Sequence, residues 1–157
     1  MEKDFATATF GASAPAVLDR AHNQLRATFG FSSLRPFQQQ ILEAILAGKD
    51  CLAVLPTGSG KSLCYTLPAA MAQTGIVLVV SPLIALMREQ VAECNSLGIP
   101  AVLLDRFQDR DQKSGVWQAL QSGSVRLLFV APERLAMSGF RDQLRQLQVN
   151  LVAIDEA

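Results

Sequence analysis

The sequence has little of what a disulfide-bonded or membrane-embedded protein needs. Its three cysteines, Cys51, Cys64 and Cys94, are far apart and odd in number, no CxxC pair occurs, and His22 is the only histidine. These scarcities argue against a disulfide framework and against structural zinc within the chain, and they favour a reducing, cytoplasmic setting. No membrane partner is expected, because runs such as "GIVLVV" and "CLAVL" fall far short of the roughly 18 apolar residues that span a bilayer. The opening stretch "MEKDFATATFGASAPAVLDR" has no long apolar region behind a basic start, so no secretory signal is expected. Lys and Arg (14) balance Asp and Glu (14), so net charge gives no sign of nucleic-acid binding and any basic surface must be local. Internal repeats and low-complexity tracts are also missing.

What remains is an ordinary globular composition. At 157 residues, 50% apolar and 18% charged, the chain is long enough for one domain with a real core. Residues 1–14 are small, polar and without periodicity, and read as a flexible tail ahead of one domain over 15–157. Two helices follow. The first has Val17, Leu18, Ala21, Leu25 and Thr28 at helical spacing and Gly30 as its stop. The second, "RPFQQQILEAILAGKD", has Phe37, Ile41, Ile45 and Leu46 on one face and Gly48 at its end. Beyond them the pattern alternates. Short apolar runs at 51–55, 76–80, 100–104, 125–130 and 151–154 are separated by helical stretches, which predicts an α/β fold with a parallel sheet buried on both faces. Trp117, the only tryptophan, sits with Val116 and Leu120 in a helical stretch and reads as core, and His22 as a surface helix residue.

The most specific stretch is "LPTGSGKS", residues 55–62, between an apolar run and a helix. Gly58 and Gly60 permit the tight backbone in which successive amides, those of Thr57 and Ser59 among them, converge on phosphate oxygens. The helix beginning near Lys61 points its positive end at the same anion. Lys61 can reach the β- and γ-phosphates of ATP, and Ser62 can offer its hydroxyl to Mg²⁺. The usual pattern begins with glycine at the position held here by Leu55. Such a site also needs a carboxylate at the end of a neighbouring parallel strand. "LVAID" supplies Asp155 as the metal partner, and Glu156 follows, placed to orient or deprotonate the attacking water.

The combination "PTGSGKS…SPLIALMREQV…APERL…DEA" resembles the first motor domain of superfamily 2 helicases and is most similar to the RecQ-type DNA helicases. The similarity covers about residues 17–157. In "LRATFGFSSLRPFQ" the family's nucleotide-recognition motif is matched at Leu25, Phe29, Gly30, Arg35 and Gln38, with Leu34 in place of the usual aromatic. The resemblance implies a three-layer, RecA-like P-loop fold and an ATPase that unwinds DNA in the 3′ to 5′ direction, acting on single-stranded and partially duplex DNA, with roles in DNA repair or recombination. It implies that Gln38 pairs with adenine N6 and N7 while Arg35 lies beside the base, although Arg35 could instead cap the preceding turn. Ser81 and Pro82, at a strand-to-helix turn, become candidates for a DNA phosphate, against a plain cap for Ser81. Arg88 is a DNA contact or a solvated face charge, and Glu133 and Arg134 lie near the strand or form a structural ion pair. Family members continue past "DEA", so the chain is expected to be a fragment that ends within a motif and does not turn over ATP alone. A DEAD-box-type RNA helicase and a non-catalytic nucleotide-binding module are the alternative readings.

Overall fold

A computed structural model describes residues 13–156. The expected tail over 1–14 lies outside the described residues except at its last two positions. Two compact units divide the chain, Met1–Gln73 and Thr74–Ala157.

The first unit contains helices α1 (Ala14–Phe29), α2 (Pro36–Leu46) and α3 (Leu63–Met71). Gly30 ends α1 at φ +71°, a left-handed cap that glycine adopts without penalty. Val17, Ala21 and Leu25 from α1 pack with Leu42 and Leu46 from α2 and with Leu63, Leu67 and Met71 from α3. Each fully buried side chain of this kind stabilises by about 1.5–3 kcal/mol. The inward face of α2 differs from the expected one. It buries Gln38, Leu42, Ile45 and Leu46, whereas Phe37 and Ile41 are only half-buried.

The first expected strand does not form. Residues 51–56 have no regular structure, and Leu52 and Val54 are 92% and 90% exposed. A strand exists only where a neighbour completes its hydrogen-bond ladder, and the described part of this unit offers helices alone.

The second unit is an α/β sheet. Its elements are β1 (Ile76–Val80), α4 (Ile84–Ser96), β2 (Ala101–Leu104), α5 (Arg110–Gln121), β3 (Leu127–Val130), α6 (Pro132–Leu135), α7 (Ser138–Leu144) and β4 (Val149–Ile154). The four strands are parallel, in the order β2-β3-β1-β4. β1 and β3 are buried at every residue, as continuous apolar runs in a parallel sheet require. On one side Ile76, Leu78, Val80, Leu104, Leu128 and Val130 meet Leu120 and Phe140. Trp117 packs against this core, edge-on to Phe140 with centroids 5.9 Å apart. β4 is an edge strand with Val152 and Ile154 52% and 70% exposed.

The register fixes where the strands end. Leu104 pairs with Val130, Val130 with Val80, and Val80 with Ile154. The next residues, Asp105, Ala131, Ser81 and Asp155, therefore leave the sheet in one row at its carboxyl edge. The carboxyl ends of parallel strands are where open α/β sheets bind ligands.

Candidate nucleotide loop and strand-end residues

In the first unit the structure draws two of the expected nucleotide-recognition residues, Arg35 and Gln38, onto the glycine loop. Gly58 and Gly60 have φ of +72° and +89°, conformations that side chains with a Cβ adopt at a cost. The Ser59 amide donates to the Pro56 carbonyl at 3.3 Å. Arg35 Nη1 donates to the Ser59 carbonyl at 2.6 Å, and Gln38 Nε2 donates to the Gly60 carbonyl at 3.1 Å. Gln38 Oε1 accepts from the Arg35 amide at 2.9 Å, which caps the start of α2. The reciprocal cap from the Arg35 side chain cannot exist, because a guanidinium has no acceptor. Thus Arg35, Gln38, Ser59 and Gly60 form one hydrogen-bonded group. Gln38 is buried at 6% exposure.

Thr57 is exposed, and Lys61 and Ser62 are half-buried in the turn that leads into α3. The helix proper starts at Leu63, just after the expected point, with the Ser62 carbonyl accepting from Thr66 N at 2.9 Å. Ser59 Oγ is buried and has no hydrogen-bond partner in the structure. An unmet buried hydroxyl costs about 1–3 kcal/mol, so a site that keeps one is poised for a polar ligand.

The second unit carries the remaining candidates. Ser81 is buried, its amide donates to the Val130 carbonyl at 3.1 Å, and its Oγ accepts weakly from Leu83 N at 3.4 Å. The Ser81 N–H is therefore spent on the sheet. Pro82 is exposed beside it. Glu133 is exposed on the short helix α6, while Arg134 is half-buried with its guanidinium 5.7 Å from the Phe140 ring. The Asp155 amide extends the ladder to the Val80 carbonyl at 2.9 Å. Asp155 Oδ1 accepts from the Glu156 amide at 3.1 Å, and Glu156 has φ +57°, the only positive value among described non-glycine residues.

Arg88 is neither a simple solvated charge nor unengaged. Its Nη2 donates to Asp105 Oδ2 at 2.8 Å, with the Asp105 side chain 2% exposed and that of Arg88 58% exposed. Asp105 Oδ1 accepts from the amides of Phe107 (2.8 Å) and Gln108 (3.1 Å). Burial alone would raise the Asp105 pKa. The Arg88 hydrogen bond, the two amides and the Arg88 charge outweigh it and hold the carboxyl below its ordinary value. Sequence reasoning missed this residue. The available signal was an aspartate directly after an apolar strand, followed by a turn whose amides it can cap.

The DEAD/DEAH box helicase family model matches residues 35–157, from the Arg35 cap through the glycine loop to the acidic strand end. The chain belongs to the DEAD/DEAH box helicase family. Within that family it is 42% identical over 133 residues to an ATP-dependent DNA helicase RecQ of Pasteurella multocida, a match covering 85% of this chain and 21% of the relative. It is 41% identical over 133 residues to the RecQ protein of Haemophilus influenzae, with the same shares covered. A probable ATP-dependent DNA helicase RecS of Bacillus subtilis is 41% identical over 130 residues, covering 82% of this chain and 26% of that protein. The chain spans about a fifth of the length of the first two relatives. No helix among its described residues is long and apolar enough to cross a membrane.

Proposed function

We infer that this chain is the nucleotide-binding part of the first motor domain, residues 15–157, of a RecQ-type ATP-dependent DNA helicase. Such an enzyme couples ATP hydrolysis to 3′ to 5′ movement on single-stranded and partially duplex DNA, in the cytoplasm. The observation that carries the reading is the glycine loop. Two residues at positive φ flank a buried serine hydroxyl with no partner, and Arg35 and Gln38 are fastened to the loop carbonyls. A phosphate oxygen would satisfy Ser59 Oγ, and the amides of the loop would surround the same anion.

The roles follow from chemistry. Lys61 brings a cation to the β- and γ-phosphates. The Ser62 hydroxyl in the first unit and the Asp155 carboxylate in the second are each a hard oxygen donor of the kind Mg²⁺ takes, and the ion when bound would neutralise charge on the phosphates. Glu156 accepts the proton of the attacking water. Gln38 keeps a second amide hydrogen and a second lone pair after its two backbone bonds, the pair that adenine N7 and N6 would use. Arg35, exposed, would lie beside the base.

The test is steady-state ATP turnover by this chain and by a longer protein containing it, each with single-stranded DNA, with RNA and with neither. The reading expects DNA-stimulated turnover in the longer protein and negligible turnover in the chain alone. Stimulation by RNA alone would instead favour an RNA helicase. Nucleotide binding without turnover in both would mark a non-catalytic module.

A further inference from the structure

We propose that Phe107, flanked by Arg106 and Arg88, is a stacking platform for an unpaired base of single-stranded DNA. The proposal rests on the DNA-motor reading above and adds a contact point to it.

The loop that carries the ring is held by side-chain hydrogen bonds from Asp105 and Gln108. Asp105 holds the Phe107 and Gln108 amides and Arg88, as described. Gln108 closes the loop from the other side, its Nε2 donating to the Leu103 carbonyl at 2.8 Å and its Oε1 accepting from the Asp105 amide at 3.1 Å. Residues 103–108 are thus fixed by side-chain bonds on both flanks. Yet the one large apolar group on this support is left out of the core. Phe107 is 63% exposed, although burying a phenylalanine contributes about 1.5–3 kcal/mol. A polar residue would serve an exposed turn without exposing a ring to water.

The surroundings say what the ring suits. The Arg106 guanidinium lies 4.8 Å and the Arg88 guanidinium 5.8 Å from its centroid. An exposed aromatic with cations against it is the combination that binds single-stranded nucleic acid, with bases stacking on the ring and phosphates meeting the charges. Its position fits as well. The loop leaves β2 at the carboxyl edge of the sheet, in the same row as Ser81 and Asp155. Arg88 is already paired with Asp105, and Asp109 and Asp111 follow closely in the chain, so phosphate attraction is modest and stacking should dominate. A stacked base accounts for the rigid loop and the exposed ring together.

The test is fluorescence anisotropy of the chain with a labelled oligo(dT), an abasic strand of the same length, and oligo(rU). The unaltered chain should bind oligo(dT) more tightly than the abasic strand. Phe107→Ala should weaken oligo(dT) binding on the order of 5- to 100-fold, with little change on the abasic strand. Phe107→Trp should restore the preference. Because the ring is exposed, neither substitution disturbs the core. Undiminished preference for oligo(dT) in Phe107→Ala overturns the platform and leaves the DNA-motor reading standing. Failure of the unaltered chain to bind either DNA strand also overturns the platform, while the DNA-motor reading is decided separately by the turnover of the longer protein. Phe107-dependent binding confined to oligo(rU) overturns the assignment to DNA.

Discussion

Replacing Gly60 by alanine should damage the loop more than replacing Gly58, and the difference should vanish when Gln38 is shortened. Both glycines have positive φ, so each alanine incurs left-handed strain of about 1–2 kcal/mol. They differ in what a new Cβ would meet. At Gly58 nothing lies within 4 Å, whereas at Gly60 the Cβ would sit 2.9 Å from Gln38 Nε2. That nitrogen ends a flexible side chain, but the residue is buried and bonded to Arg35 N and to the Gly60 carbonyl. Making room breaks at least one of those bonds, at about 1–2 kcal/mol each in a buried setting. Gly58→Ala should therefore cost about 1–2 kcal/mol and Gly60→Ala about 2–4 kcal/mol. In a Gln38→Ala background the added cost of Gly60→Ala should fall to that of Gly58→Ala, a coupling of about 1–2 kcal/mol. Urea unfolding followed by NMR separates the units, since the single tyrosine, Tyr65, reports on the first and the single tryptophan, Trp117, on the second. Equal costs at the two glycines, or no relief from Gln38→Ala, would refute the idea that Gln38 braces the loop at Gly60.

Other substitutions test the chemistry and the second unit. Lys61→Ala, in a protein that turns over ATP, should abolish hydrolysis because the β/γ charge loses its closest cation, and near-normal turnover would remove the phosphate-loop assignment. Glu156→Gln should retain nucleotide binding and stop hydrolysis, while Asp155→Asn should weaken the Mg²⁺ dependence of binding; the reverse pattern would exchange their roles. The Asp105 pKa is lowered, so its stabilisation is present above the ordinary value of 3.8 and is lost as pH falls through the folded pKa. The protection factors of the Phe107 and Gln108 amides, which remove the intrinsic pH dependence of exchange, should fall on acidification below about pH 4, and Asp105→Ala should lower them already at neutral pH. Burial pushes the Cys64 and Cys94 thiols up to about 11, so at pH 8 exposed Cys51 should be alkylated first; faster labelling of Cys94 would contradict its burial.

The legible parts of the sequence were those with a local cause. Gly30 and Gly48 stop helices because each needs positive φ, and the buried runs of β1 and β3 declare themselves by apolar continuity. The glycine loop was legible for the same reason. Features that depend on a partner elsewhere in the chain were not. "CLAVL" has a strand's composition, but composition does not provide a neighbour, and the run stays irregular. Only the later half of the α2 face, Ile45 and Leu46, was legible, because the inward row of its first turns, Gln38 and Leu42, begins with a polar side chain. Counting apolar residues selects Phe37 and Ile41. The true phase appears only once Gln38 is seen to point its amide at the Gly60 carbonyl. Arg88 was likewise ambiguous until Asp105, seventeen positions away, was found beneath it.

Register turns the separate motifs of the second unit into one line. Adjacent strands lie about 4.8 Å apart, so the row from Asp105 through Ala131 and Ser81 to Asp155 crosses roughly 14 Å. Its two ends differ in chemistry. At β4 stand two consecutive carboxylates, Asp155 and Glu156; at β2 the carboxylate of Asp105 is buried under Arg88, and what faces solvent is a phenylalanine ring with two guanidiniums. On the proposed reading the anionic end suits Mg²⁺ and repels DNA phosphates, and the aromatic end has the opposite preference. A polynucleotide at this edge would therefore be held towards β2 and kept off the carboxylates. The burial of Asp105 under Arg88 removes one carboxylate from beside the ring, and because Asp109 and Asp111 stay exposed a few residues on, the preference of the β2 end rests on stacking more than on charge.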